Sequence, residues 1–132
     1  MSPTDIAQLI DESPMNRGAV GMDWLKVPGN VAFADKAGNV LLFEKAGSHM
    51  YQFYWLRTVS KPRQLIAFTR YACREVYDLP GVGLLFGLVP ADRRDSKLMA
   101  RWIGAQSLGL VNADHGLCEM FILTREQAAE GR

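Results

Sequence analysis

The side chains in this sequence with most chemistry to offer are His49 and His115, Cys73 and Cys118, Ser96 and Ser107, and a basic group at Arg93, Arg94, Lys97 and Arg101. His49 leads an alternating His49-Tyr51-Phe53-Trp55 face. An imidazole there could serve as general base or metal ligand, and it equally fits a partly exposed residue opening a strand. His115 follows Asp114 in a polar turn, which is no metal site without further ligands. The cysteines are far apart with no C-x-x-C, so they lack zinc spacing and read as buried thiols of a reducing compartment. Neither serine sits in a nucleophile elbow, so a hydrolase triad has no support. Gly81-Val-Gly83 leads into a strand instead of joining a strand to a helix, the wrong context for a phosphate loop. The basic group alternates with Asp92 and Asp95, as a solvated helix face does.

The elements that must carry these residues are set off by turn residues. Thr4 or Asp5 can cap a short helix with Ile6, Leu9 and Ile10 on its apolar side, ending at Ser13-Pro14. A second short helix or turn fits within Pro14 to Pro28. From Asn30 the period becomes two. Val31 to Asp35, Val40 to Glu44 and His49 to Leu56 read as three antiparallel strands, with turns at Lys36-Ala-Gly-Asn39 and Gly47-Ser48. Ser60 can cap the next helix, with Pro62 in its first turn and Leu65, Phe68, Ala72, Cys73 and Val76 as its stripe. Val82 to Pro90 is almost wholly apolar and follows a helical crossover, so it should lie buried and parallel to a neighbour. Asp92, with Asp95 three residues on, caps a helix with Leu98, Met99, Trp102 and Ile103 inside and Gly104 at its C-terminal end. Gln106 to Val111 and Leu117 to Thr124 close the chain as a hairpin. The order predicts an α+β domain with a mixed, mostly antiparallel sheet: a meander, a crossover helix, a parallel strand, a helix and a C-terminal hairpin.

The 132 residues suit a single domain, with residues 1–29 helical, 30–125 a sheet core and 126–132 a polar tail. An apolar share of 48% supplies the core, and 22% charged residues exclude a disordered chain. A net charge of +1 argues against nucleic acid and anionic lipid as partners. The start lacks the pattern of a secretory signal, and the uncharged run Leu79 to Ala91 is too short and too broken to span a bilayer. These features suggest a soluble intracellular protein. Of the aromatics, Tyr51, Phe53, Tyr54, Trp55, Trp24 and Trp102, most belong to core packing, and any left exposed would serve as interface anchors.

Gly87-Leu-Val-Pro-Ala-Asp-Arg-Arg-Asp-Ser96, Ala100-Arg-Trp-Ile-Gly104 and Glu119-Met-Phe-Ile-Leu-Thr-Arg125, in this order of elements, resemble the second half of GNAT-fold acetyltransferases. The opening half, Gly38-Asn-Val-Leu-Leu-Phe-Glu44 through Trp55, resembles small GNAT-like proteins of the head- and tail-assembly regions of tailed bacteriophages. The resemblance covers residues 30 to 125. It implies a GNAT-like sheet, and a cofactor site where the meander's last strand passes into the following helix. There the family binds the acetyl-CoA pyrophosphate on the backbone amides of a Gln/Arg-x-x-Gly-x-Gly/Ala motif, because glycine lets the chain close on phosphate and the helix end supplies donors.

This chain reads Arg57-Thr-Val-Ser60-Lys61-Pro62 at that position. The arginine matches, Ser60 adds a Cβ, and Pro62 removes a donor, which costs about 1.5–3 kcal/mol against a charged acceptor. If CoA binds, Arg57, Ser60, Lys61 and Arg63 are the residues expected to hold it, with the charges of Lys61 and Arg63 offsetting part of the loss. Acetyl transfer also needs a base, for which Glu44, Glu119 and His49 are available. The tyrosine that commonly protonates the leaving thiolate is missing from the helix Asp92 to Ile103. The resemblance therefore implies a non-catalytic phage-type protein without cofactor. It would act in the virion or its assembly, in host cytoplasm or particle, through contacts with other phage or virion proteins or further copies of itself. The alternative is an N-acetyltransferase that uses acetyl-CoA through a divergent pyrophosphate loop.

Overall fold

The computed structural model describes residues 1–13, 20–114 and 116–130. Its elements are α1 (Pro3–Glu12), α2 (Gly21–Lys26), β1 (Val31–Ala34), β2 (Val40–Lys45), β3 (Met50–Arg57), α3 (Pro62–Tyr77), β4 (Leu84–Pro90), α4 (Arg94–Trp102), β5 (Gln106–Ala113), β6 (Gly116–Leu123) and α5 (Arg125–Ala129). The six strands form one sheet in the order β1-β2-β3-β4-β6-β5. Every neighbouring pair is antiparallel except β3–β4. This is the α+β mixed sheet expected from the order of elements, including the parallel strand after the crossover helix. The part of the expected second helix or turn that falls on residues 14–19, and His115, lie outside the described residues.

One apolar layer covers one face of the sheet, and a smaller one covers the other face over β1, β2 and β3. On one face Leu41, Phe43, Tyr51, Phe53, Leu85, Val89, Phe121 and Leu123 pack with Ala72, Cys73, Val76 and Tyr77 of α3, Ala100 and Ile103 at α4, and Ala128 of α5. On the other face Val40 and Leu42 meet Ile6 and Ile10 of α1, with Trp24 and Leu25 of α2 alongside. Alternation along β2 sends successive apolar residues to opposite layers, so this strand reads as an unbroken apolar run. Between α1 and α2 the backbones almost touch. A Cβ on Gly21 would lie 2.1 Å from the Ala7 carbonyl oxygen, so only glycine fits.

Several helix ends differ from the sequence expectation. At α1 the cap is Ser2, whose Oγ accepts from the Asp5 N–H while the Asp5 carboxylate accepts from the Ser2 N–H. Neither Thr4 nor Asp5 is the cap residue; Asp5 is its reciprocal partner. Asp92 is not the cap of α4 either. The Arg93 N–H bonds the Pro90 carbonyl at 2.9 Å, so a turn places Asp92 outside the helix, and Asp95 accepts from the Ser96 amide. The buried stripe of α4 is Met99, Ala100 and Ile103. Leu98 and Trp102 instead remain 42% and 52% exposed. Small Ala100 lets the helix sit close on the sheet, which turns the flank carrying the two bulky residues outward. The Gly104 N–H closes the helix on the Arg101 carbonyl at 3.0 Å, as expected of a C-terminal stop. Beyond β6, where composition suggests a polar tail, Thr124 and Gln127 make a capping box that starts α5, and Ala128 is buried.

Candidate functional site

The parallel pair β3–β4 has three rungs: Met50 with Leu84, Tyr51 with Leu85, and Gln52 with Phe86. Beyond them β3 continues to Arg57 and β4 to Pro90 with no further rung between them. The sheet therefore splits into a fork that opens toward the C-terminal ends of both strands. Parallel strands present their carboxyl ends and the following helix N-terminus on the same side, so backbone polar groups gather there. The root of the fork is filled. A Cβ on Gly87 would lie 3.0 Å from Phe53 Cζ, so the Phe53 ring rests directly on the glycine. Trp55 stacks edge-on against Phe53 at 5.5 Å between centroids, and its indole N–H donates to Thr69 Oγ1 of α3 at 3.0 Å.

Residues 58–61 carry the chain from β3 into α3. Lys61 is the N-cap of α3, without a side-chain cap bond, and Pro62 opens the first turn. Ser60, the expected cap, is engaged elsewhere. Its Oγ accepts from Asn39 Nδ2 at 2.7 Å, while Asn39 Oδ1 accepts from the Val59 N–H at 2.7 Å and the Ser60 N–H at 3.2 Å. The fully buried Asn39 thus takes up two loop amides. Asp35 anchors Asn39 in turn, accepting from its side chain at 2.7 Å and its backbone at 2.8 Å. Desolvation pushes the Asp35 carboxyl up. Hydrogen bonds from the Asn39 side chain and the Asn39, Gly38 and Ala37 amides outweigh that and leave it below the ordinary carboxylate value.

Lys61 and Arg63 are exposed at the mouth of α3, beside the first-turn amides of Arg63 and Gln64, which an α-helix leaves without intrahelical partners. Arg57 lies elsewhere. Leu41 pairs with Trp55 but Val40 pairs with Arg57, so Leu56 is an extra residue in β3. This bulge carries Arg57 to the α1 side. There it lines an open cavity of about 290 Å³ with Met1, Asp5, Gln8, Leu9 and Glu12. Ser60, Lys61 and Arg63 thus follow one another at the entrance to α3, whereas Arg57 emerges on the α1 side with its guanidinium beside Gly38.

The three candidate bases are spread out. His49 lies at the closed end of the fork, its Nδ1 2.9 Å from the Gly81 carbonyl. Glu44 pairs in register with Gln52, on the last rung before the split, and accepts from the Tyr54 hydroxyl at 2.7 Å. Glu119, in register with Val89, sits between Lys97 at 3.8 Å and Arg101 at 3.5 Å. The expected solvated basic face is therefore divided: Arg93 pairs with Asp95 in solvent, while Lys97 and Arg101 turn to Glu119. Asn39 is the site residue that sequence reasoning missed. It reads as a turn former after Gly38, and nothing local announces its bonds to residues twenty positions away.

Among the described residues no group of three or more His, Cys, Asp or Glu could hold a metal, and no helix is long and apolar enough to cross a membrane.

No family model matches the chain, and no curated protein does. Solved structures do. Aminoglycoside acetyltransferase AAC(6′)-Ib in complex with ribostamycin and coenzyme A superposes with a TM-score of 0.71 at 11% identity, covering 100% of this chain and 94% of that one. A chimera of spermidine N-acetyltransferase SpeG from Vibrio cholerae and hSSAT gives 0.69 at 5% identity, covering 99% and 97%. A probable acetyltransferase gives 0.68 at 10%, covering 96% and 91%. At such identities the likeness is one of fold, and the fold is that of GNAT acetyltransferases. The resemblance to phage assembly proteins gains no support from these comparisons.

Proposed function

We propose that this chain is an N-acyltransferase that binds acyl-CoA with its thioester directed into the β3–β4 fork. The observation that carries the reading is the fork itself: three rungs, then divergence, with the uncapped N-terminus of α3 at its mouth. The aminoglycoside acetyltransferase solved with coenzyme A has the same overall fold. The donor set fits a pyrophosphate held in a modified way. Val59 and Ser60 amides are taken by Asn39, and Pro62 has none to give. The anion would rest instead on the Arg63 and Gln64 amides and on the charges of Lys61 and Arg63, favoured by the helix dipole. Arg57, turned away by the bulge, is left out of this set.

In the reaction the acceptor amine attacks the thioester carbonyl, a C–N bond forms, the C–S bond breaks, and CoA leaves as thiolate. One proton passes from the nitrogen to a base. We assign that role to Glu44, which stands on the last rung before the split with the Tyr54 hydroxyl as its partner. Glu119 is committed to two cations. Strands holding both reacting groups in place would supply much of the rate enhancement through proximity.

The test is thermal unfolding with and without CoA. A hundredfold excess over the dissociation constant stabilises by about 2.7 kcal/mol. The Lys61→Ala and Arg63→Ala variants should shrink that shift, and acyl-CoA with an amine should release free thiol. No shift at millimolar CoA rejects the reading. A second reading, the non-catalytic phage-type assembly component, is favoured by one observation: Asn39 already occupies amides that a pyrophosphate would use. No stabilisation by CoA, and no thiol release with any amine, would favour it.

A further inference from the structure

We propose that Asn39 is the positioning residue of the β3–α3 loop, fixing the entrance to α3 before any ligand arrives; the inference rests on the acyl-CoA reading of the fork. A side-chain amide has two donor hydrogens and two acceptor lone pairs. Asn39 uses all four: Nδ2 donates to Asp35 Oδ2 and Ser60 Oγ, both at 2.7 Å, and Oδ1 accepts from Val59 at 2.7 Å and Ser60 at 3.2 Å. The residue is fully buried, so each of these bonds would be left unmade if the side chain moved out. Asp35 is fixed by the Gly38 and Asn39 amides at 3.0 and 2.8 Å, which ties the β1–β2 turn to the loop as one network.

The loop amides bonded to Asn39 are therefore not exchangeable donors for a ligand. They hold the chain at the angle from which α3 departs. Lys61 and Arg63, which follow directly, inherit their placement from that hold. Ligand affinity thus depends on Asn39 although Asn39 touches no ligand.

The test uses a charge-pattern swap. Asn39→Asp keeps an acceptor for the loop amides but sets a second carboxylate against Asp35. Adding Asp35→Asn returns one donor and one carboxylate in reversed order, so the double variant rebuilds the network with Ser60 as donor. Hydrogen exchange at the Val59 and Ser60 amides reads the hold directly, and KM for acyl-CoA with kcat reads its effect. Asn39→Asp should expose both amides to exchange and raise KM for acyl-CoA about tenfold with kcat little changed, the size expected for losing one oriented charge-assisted contact. The double variant should restore both readouts. A single variant with wild-type exchange and KM overturns the proposal, as does a raised KM without loss of protection, or failure of the double variant to restore KM. A wild-type chain that binds no CoA overturns the reading beneath it, and this shows before any variant is made.

Discussion

Tyr77→Phe removes one oxygen from the core and nothing else. The Tyr77 hydroxyl accepts from the Leu85 N–H at 2.9 Å and donates to the Leu123 carbonyl. It thereby ties α3 to β4 and β6 at the closed end of the fork, on the rung where Leu85 pairs with Tyr51 on one side and Leu123 on the other. Tyr77, Leu85 and Leu123 are all buried, so water cannot replace the lost partner. An orphaned buried donor costs about 1–3 kcal/mol, and the Leu123 carbonyl adds a smaller loss because an acceptor retains a second lone pair. We expect about 2–3 kcal/mol of destabilisation, a large part of the ~5–15 kcal/mol typical of a domain. At about 3–6 °C per kcal/mol for this size, Tm should fall by about 6–18 °C. Differential scanning calorimetry reads the change, with Tyr71→Phe on the exposed side of the same helix as control. Burial also pushes the Tyr77 phenol up; the Leu85 bond and Arg125 pull the other way, while Cys73 adds to the rise. A folded-state value above the unfolded one means that this stabilisation is complete below about pH 10 and is lost as pH rises through the folded value. Tyr77→Phe should lack that alkaline limb. A variant within about 0.5 kcal/mol of wild type, the range of surface substitutions, would refute the reasoning.

Three further outcomes are expected. Pro62→Ala restores an amide at the first turn of α3, and CoA should bind about tenfold more tightly by calorimetry; unchanged affinity would contradict the donor argument. Burial pushes the Cys73 thiol up to about 12, with Arg70 and Arg74 only partly offsetting it. Native protein should therefore resist thiol reagents at pH 8 until unfolded, and rapid labelling of Cys73 would show that its burial is wrong. Asp35 has a lowered folded-state value, so its contribution is present above its unfolded value near pH 4 and fades as pH falls through the folded one. Denaturation between pH 2 and 6 should show a limb that flattens in Asp35→Asn; an identical limb in that variant would remove Asp35 as its source.

The sheet was legible because its strands obey period two against two buried layers. Tyr51 and Phe53 fall on one side and Val40 and Leu42 on the other, as alternation requires. The parallel strand was legible from its apolar run and the crossover helix before it. What local pattern could not give was decided across the fold. A single extra residue, Leu56, reverses the side on which Arg57 emerges, and a bulge leaves no mark in apolar periodicity. Ser60 has the right chemistry for a helix cap, but a buried amide from another turn competes for it and wins. Leu98 and Trp102 are large and apolar at helical spacing, yet Ala100, the smaller residue, selects the face that approaches the sheet. Around the candidate site, Lys61 and Arg63 were proposed from the resemblance, whereas Asn39 became visible only as a network.

The most direct measurement is a backbone amide NMR titration with CoA. Saturable shifts are expected at Arg63 and Gln64, with the Val59 and Ser60 amides still protected from exchange at saturation. Binding that leaves the first turn of α3 unmoved, or no shifts at millimolar CoA, would contradict it.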